Sequence, residues 1–172
     1  MFDKVFEIDE IKEIFIQRKS ALKNFNKITI NDDFYLNFLS EFQTTEFTPD
    51  IIIFGYEEAI KENKYVEEIN PFISENFWMI GRTGQGDEWF IDKVKGGISF
   101  YDHNQGDYAD ISQFQKLNID FTDFVKMAFL FRELENELDR EENISHENQE
   151  KFINQINSIK KGLYELYPFK YF

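Results

Sequence analysis

Asn76-Phe-Trp-Met-Ile-Gly81-Arg-Thr-Gly-Gln-Gly86-Asp-Glu-Trp-Phe-Ile-Asp92-Lys-Val-Lys-Gly-Gly97-Ile-Ser-Phe-Tyr101 is the stretch on which the fold turns. It holds three short runs rich in aromatic and aliphatic residues: Asn76 to Ile80, Asp87 to Asp92, and Gly97 to Tyr101. Glycine-bearing turns separate them, which is the pattern of strands. Links this short and glycine-rich favour antiparallel pairing. In the middle run Trp89 and Ile91 share one face, and Glu88 and Phe90 share the other.

Outward from this centre, Asp50-Ile-Ile-Ile-Phe-Gly55 reads as another strand stopped by glycine. Thr44 to Pro49 reads as a polar break, and Glu57 to Glu68 as a charged segment, helix or loop, closed by Pro71. Upstream, Ile8, Ile11, Phe15 and Leu22 predict a helix over about Asp9 to Phe25. Phe34, Phe38 and Phe42 predict a second, capped at Asn31 or Asp32 and ending near Gln43. Downstream, Phe121, Phe124, Val125, Ala128, Phe131, Leu134 and Leu138 mark a helix from Asp120 to about Asp139. Phe152, Ile156, Ile159, Leu163 and Leu166 mark a last one from about Ser145 to Tyr167, stopped by Pro168. Helices, then strands together, then helices give an α+β class. The expectation is one domain over residues 1–172: a central, largely antiparallel sheet with helices packed against it, and a C-terminal helical extension.

The chain has 172 residues, 42% hydrophobic and 30% charged, enough for a sizeable core. Asp and Glu number 33 against 19 Lys and Arg, a formal charge of −14. That balance opposes nucleic-acid phosphate or an anionic membrane surface as partner. It suits a basic partner, whose approach the field would speed. Cysteine is absent, which excludes disulfides, thiol nucleophiles and thiolate metal sites. The acidic start, Met1-Phe-Asp-Lys-Val-Phe-Glu-Ile-Asp9, does not resemble a signal peptide, so the cytoplasm is expected.

Motifs that suggest catalysis fail on their own terms. Gly81-Arg-Thr-Gly-Gln-Gly86 fits neither a P-loop nor a dinucleotide fingerprint, and a strand follows it rather than a helix. His146-Glu-Asn-Gln-Glu150 has Glu where a zinc-protease motif needs its second His. Asp102-His-Asn-Gln-Gly-Asp107 places its Gly one position early for a calcium loop, whose twelfth position is Gln113 here. Asp87, Glu88, Asp92 and Asp102 would be the carboxylates of a metal-dependent phosphoryl site. Adjacent strand positions, however, send Asp87 and Glu88 to opposite faces. No cofactor, metal ligand or catalytic residue is therefore expected. Charge is more informative. From Glu133 to Glu150 there are eight acids and one base, −8 + 1 = −7, half the formal charge in 18 residues. Such a patch is either a solvated face or a recognition surface for a basic protein.

The central residues also carry a likeness. Phe77-Trp-Met-Ile-Gly81, Gly84-Gln-Gly86-Asp87 and Glu88-Trp-Phe-Ile-Asp92 form an apolar strand, a Gly-Asp turn and an aromatic strand ending in Asp. Gly97-Ile-Ser-Phe-Tyr-Asp-His103 adds a strand with an acidic, His-containing end, and Ile111 with Ile119-Asp-Phe-Thr-Asp-Phe124 leads into a helix. In this order the chain resembles the SUKH superfamily, which includes yeast cell-wall assembly regulators and many bacterial immunity proteins against secreted toxins. The resemblance covers about Ile30 to Glu135, its specific part being Phe77–Phe124; the helix over about 145–167 is an addition. It implies a binding scaffold without a shared catalytic set, here a stoichiometric, non-catalytic inhibitor of a cognate basic toxin such as a nuclease. The expected partner-binding residues are exposed groups at the sheet's turns: Asp87, Glu88, Asp102, Asp107, Tyr108 and Asp110. A second candidate surface is Glu135, Glu137, Asp139, Glu141 and Glu142. Tyr108 is the expected anchor. Gly84 and Gly86 are expected to serve the turn, and Trp78 and Trp89 the core. A general interaction module without a toxin partner and a metal-dependent enzyme are the rival classes.

Overall fold

Among the described residues six strands lie side by side in the order in which they occur in the chain: β1 (Thr45–Thr48), β2 (Ile51–Ile53), β3 (Phe77–Arg82), β4 (Glu88–Asp92), β5 (Ile98–Tyr101) and β6 (Gln115–Lys116). Each is antiparallel to the next. The computed structural model describes residues 2–4, 6–141 and 143–172. The helices are α1 (Ile8–Ile11), α2 (Asp33–Glu41), α3 (Tyr56–Ile69), α4 (Pro71–Asn76), α5 (Phe121–Arg140), α6 (His146–Ile159) and α7 (Leu163–Leu166). The result is a single α+β domain with one hydrophobic core.

The three central strands form where expected. Trp78 faces Ile91 and Met79 faces Phe90 across the β3–β4 ladder; a bulge then puts Gly81 opposite Trp89. Gly81 has a steric reason to be glycine. A Cβ there would lie 2.2 Å from the Ile52 carbonyl oxygen, so any side chain would push β2 away. Trp89 rests on Phe124 of α5 and on Tyr167. On the opposite face Phe90 meets Phe77, Phe114 and Tyr108. Both tryptophans are buried, and the Trp78 indole donates to the Tyr35 hydroxyl at 2.8 Å.

Elsewhere the structure corrects the expectations. Residues 44–49 are not a break: Thr45, Phe47 and Thr48 are buried in β1. The ambiguous segment is α3, and Pro71 both follows it and opens α4, with Asn70 as cap accepting from the Ile73 amide. The helix expected over Asp9–Phe25 is only α1 and one 3₁₀ turn, Lys12–Ile14. Beyond Phe15 the backbone instead bonds to the end of α2: Arg18 N–H to the Glu41 carbonyl, Gln43 N–H to the Ile16 carbonyl, Leu22 N–H to the Ser40 carbonyl. The helix expected over Ser145–Tyr167 is two: α6 ends where Lys160 turns extended, and Gly162 at φ +78° caps the start of α7. A left-handed residue cannot continue a right-handed helix. No described helix is long and apolar enough to cross a membrane.

Candidate functional site

The β3–β4 turn is built around Thr83. Its hydroxyl oxygen accepts from the Gln85 and Asp87 amides, and its own N–H donates to the Asp87 carbonyl at 2.8 Å. Of the two turn glycines, Gly86 takes φ +102°; Gly84 donates its N–H to the Pro49 carbonyl, joining the β1–β2 turn to this one. Asp87 closes the arrangement. Its carboxylate accepts from the Thr83 hydroxyl and the His103 amide, and His103 Nδ1 lies 2.6 Å from the same oxygen. Asp87 is therefore not the exposed partner-facing acid expected from sequence. It is 5% exposed, because its oxygens are occupied inside the molecule.

Asp87, Asp102 and His103 offer ligand atoms within 4.8 Å of one another. A divalent cation could bridge such a set, and the Asp87 contact fixes the imidazole orientation. The four carboxylates weighed from sequence do not assemble, however. Asp92 lies at the far end of β4, accepting from the Val94 and Lys95 amides, and Glu88 turns to Tyr108.

Glu88 and Tyr108 belong to a cavity of about 390 Å³ between α3, the ends of β4 and β5, and the loop after β5. Tyr65, Ile69, Tyr101, His103 and Asp107 complete most of its wall. The loop is held in shape locally. Asp102 accepts from the Asn104 amide, Tyr101 donates to the Gly106 carbonyl at 2.8 Å, and Gly106 has φ +82°. Asp110 accepts from the Ser112 amide, and the Gln113 side chain accepts from the Ala109 and Asp110 amides. Asn70 donates to the Tyr108 carbonyl at 2.7 Å and so pins the loop to the α3–α4 junction. The Asn104 amide holds the Asp102 acid below its ordinary range, and Ser112 does the same for Asp110.

The Tyr108 hydroxyl donates to Glu88. Burial pushes the Glu88 acid up from 4.5 to about 7, with Glu62 and Asp87 adding repulsion against the pull of the Tyr108 hydrogen bond. Burial and the neighbouring Glu88 also push the Tyr108 phenol well up. Asp107 is exposed on the rim, and none of the lining residues is Lys or Arg.

The second expected surface divides. Glu135 turns inward to accept from the Tyr171 hydroxyl, and burial raises its acid, with Asp50, Asp139 and Glu46 adding repulsion. Glu137 pairs with Arg140 at 3.1 Å, while Asp139 and Glu141 are exposed. Glu142 lies outside the described residues. Asp50, in the β1–β2 turn, connects the two sets. Burial raises its acid first, and Asp87 on one side repels it further; Asp50 in turn raises Glu135 on the other. Sequence reading missed Asp50, Asn70 and Tyr171, since nothing in their spacing reveals what the turns bring together. A search of protein-family models, of curated proteins and of solved structures found no match for the chain.

Proposed function

We propose that the chain is an immunity protein of the SUKH kind, acting in the cytoplasm. It binds a cognate basic toxin, such as a nuclease, one to one and without catalysis or cofactor. The observation that carries the reading is the formal charge of −14, with Asp107 and Asp110 exposed on the loop after β5 and Asp139 and Glu141 exposed at the end of α5. A large anionic region speeds encounter with a cationic protein and offsets a surface that would otherwise hold phosphate. Co-expression with the product of the adjacent reading frame tests it. A basic protein should co-purify, and its association rate should fall as salt rises. Absence of a basic partner, together with a salt-independent association rate, would sink the proposal, as would turnover by the purified chain.

A second reading, a metal-dependent enzyme, draws on the Asp87–Asp102–His103 cluster. Calorimetry with Mg²⁺, Mn²⁺ and Ca²⁺ separates the two, since tight uptake of one ion favours the enzyme. A general interaction module would show a basic partner that is not a toxin.

A further inference from the structure

Glu88 is a carboxylate placed among aromatic rings, with His103 but no Lys or Arg in the lining around it. Among the described residues its hydrogen-bond donor is the Tyr108 hydroxyl; Glu62 and Asp87 repel its charge and His103 attracts it. Burial, and then Glu88, Asp107 and Asp102, oppose ionisation of the neighbouring Tyr101. Tyr101 and Tyr108 stand edge to face, their centroids 4.8 Å apart. At the mouth, the last turns of α3 leave Tyr65 56% and Ile69 51% exposed, one helical turn apart. The cavity thus has an anionic floor, aromatic sides and an apolar lip.

Few groups match all three. A divalent ion wants a cage of oxygens; the lining offers two carboxylates, Glu88, already bonded to Tyr108, and Asp107 on the rim, which do not make one. Phosphate and anionic lipid headgroups carry the wrong sign. An arginine side chain fits throughout: its planar guanidinium pairs with a carboxylate and stacks on aromatic rings, and its apolar stem covers hydrophobic surface. We propose, on the strength of the binding reading above, that the cavity between α3 and the loop after β5 seats one arginine side chain of the protein partner, with Glu88 as counter-ion and Tyr65 and Tyr108 as its aromatic sides. Asp107 guides the side chain in from the rim. The remaining acids supply the long-range field, and the cavity supplies the register.

The full chain is titrated with N-acetyl-arginine methylamide and followed by NMR, with the neutral citrulline analogue as control. The arginine probe should shift Tyr65, Tyr101, Tyr108 and His103, and citrulline should leave them in place. Glu88→Gln keeps the shape of the site and should weaken the probe about tenfold or more, the usual loss for a charged hydrogen bond in a partly dry site. Tyr65→Ala, at an exposed position that leaves the core intact, should weaken it about threefold. Equal binding of citrulline, equal binding by Glu88→Gln, or shifts mapping elsewhere would overturn the assignment. Capture of the co-expressed basic protein keeps the two proposals apart. If wild type and Glu88→Gln capture it equally, the arginine seat falls and the immunity reading stands. If no basic protein is captured while the arginine probe still occupies the cavity, the immunity reading falls and the seat stands.

Discussion

Glu88 and Trp89 are consecutive residues of β4, yet their side chains enter opposite environments. Trp89 is fully buried against Phe100, Phe124 and Tyr167, on the face that α5 and the C-terminal segment close. Glu88 enters the face that α3 and the loop after β5 cover only in part. The difference shows how a two-residue period partitions labour. One face of the strand is sealed, and the other is packed at Phe90 and left polar only at its Glu88 end, at a cost that a ligand or a proton can relieve.

Removing the closed side should have the largest effect. Trp89→Ala would empty a packed position and cost about 3–5 kcal/mol. Urea unfolding reads it, and a loss below about 1 kcal/mol would mean that this face is not the sealed one. The open side should behave in the opposite sense. The Glu88 acid is higher in the folded chain, at about 7, than the ordinary 4.5, so the folded state holds the proton more tightly. Its contribution is therefore complete below the ordinary value and is lost as pH rises through about 7. Glu88→Gln should remove that dependence and leave the variant about 2 kcal/mol more stable than wild type at about pH 8, after allowance for partial exposure. Denaturation at about pH 4 and pH 8 checks the sign, and a variant less stable at the higher pH contradicts it.

A smaller effect sharpens the same contrast. Gly162 holds φ +78° and brings Tyr167 back over Trp89. Gly162→Ala should cost about 1 kcal/mol from strain, seen as a lowered melting temperature. Least of all for stability is charge reversal at the exposed Asp139 and Glu141, within about 0.5 kcal/mol. There the readout is association, which should slow with the basic partner and lose its salt sensitivity. An unchanged rate would remove α5 from the binding surface.

How much of this could be read from sequence differs by region, for physical reasons. The three central strands were legible because alternating aromatics and glycine turns announce a pleated, half-buried surface. β1 was not, because its buried positions include Thr45 and Thr48, polar residues whose burial depends on neighbours far away. The apolar spacing continued past Gly162 through Leu163 and Leu166, so periodicity concealed the break that backbone conformation imposes. The site divides in the same way. Charge identified Glu88, Asp107 and the acids of α5, but not that Thr83 and His103 hold Asp87 inside, nor that Asp50 joins two clusters. Residue type shows what can ionise; only packing shows what is already satisfied.

The meander order of the sheet bears on how the chain reaches its native state. Each strand lies against the one synthesised just before it, so hairpins can close in succession, with α3 and α4 the longest insertion between partners. Local closures of that kind are fast. One clasp is not local: Phe2 packs on Phe152, and Gln155 donates to the Phe2 carbonyl across 153 positions. Closing so long a loop is entropically the most demanding step. In a refolding trace the sheet should acquire hydrogen-exchange protection early, and the joining of the N-terminal strand of chain to α6 should come last.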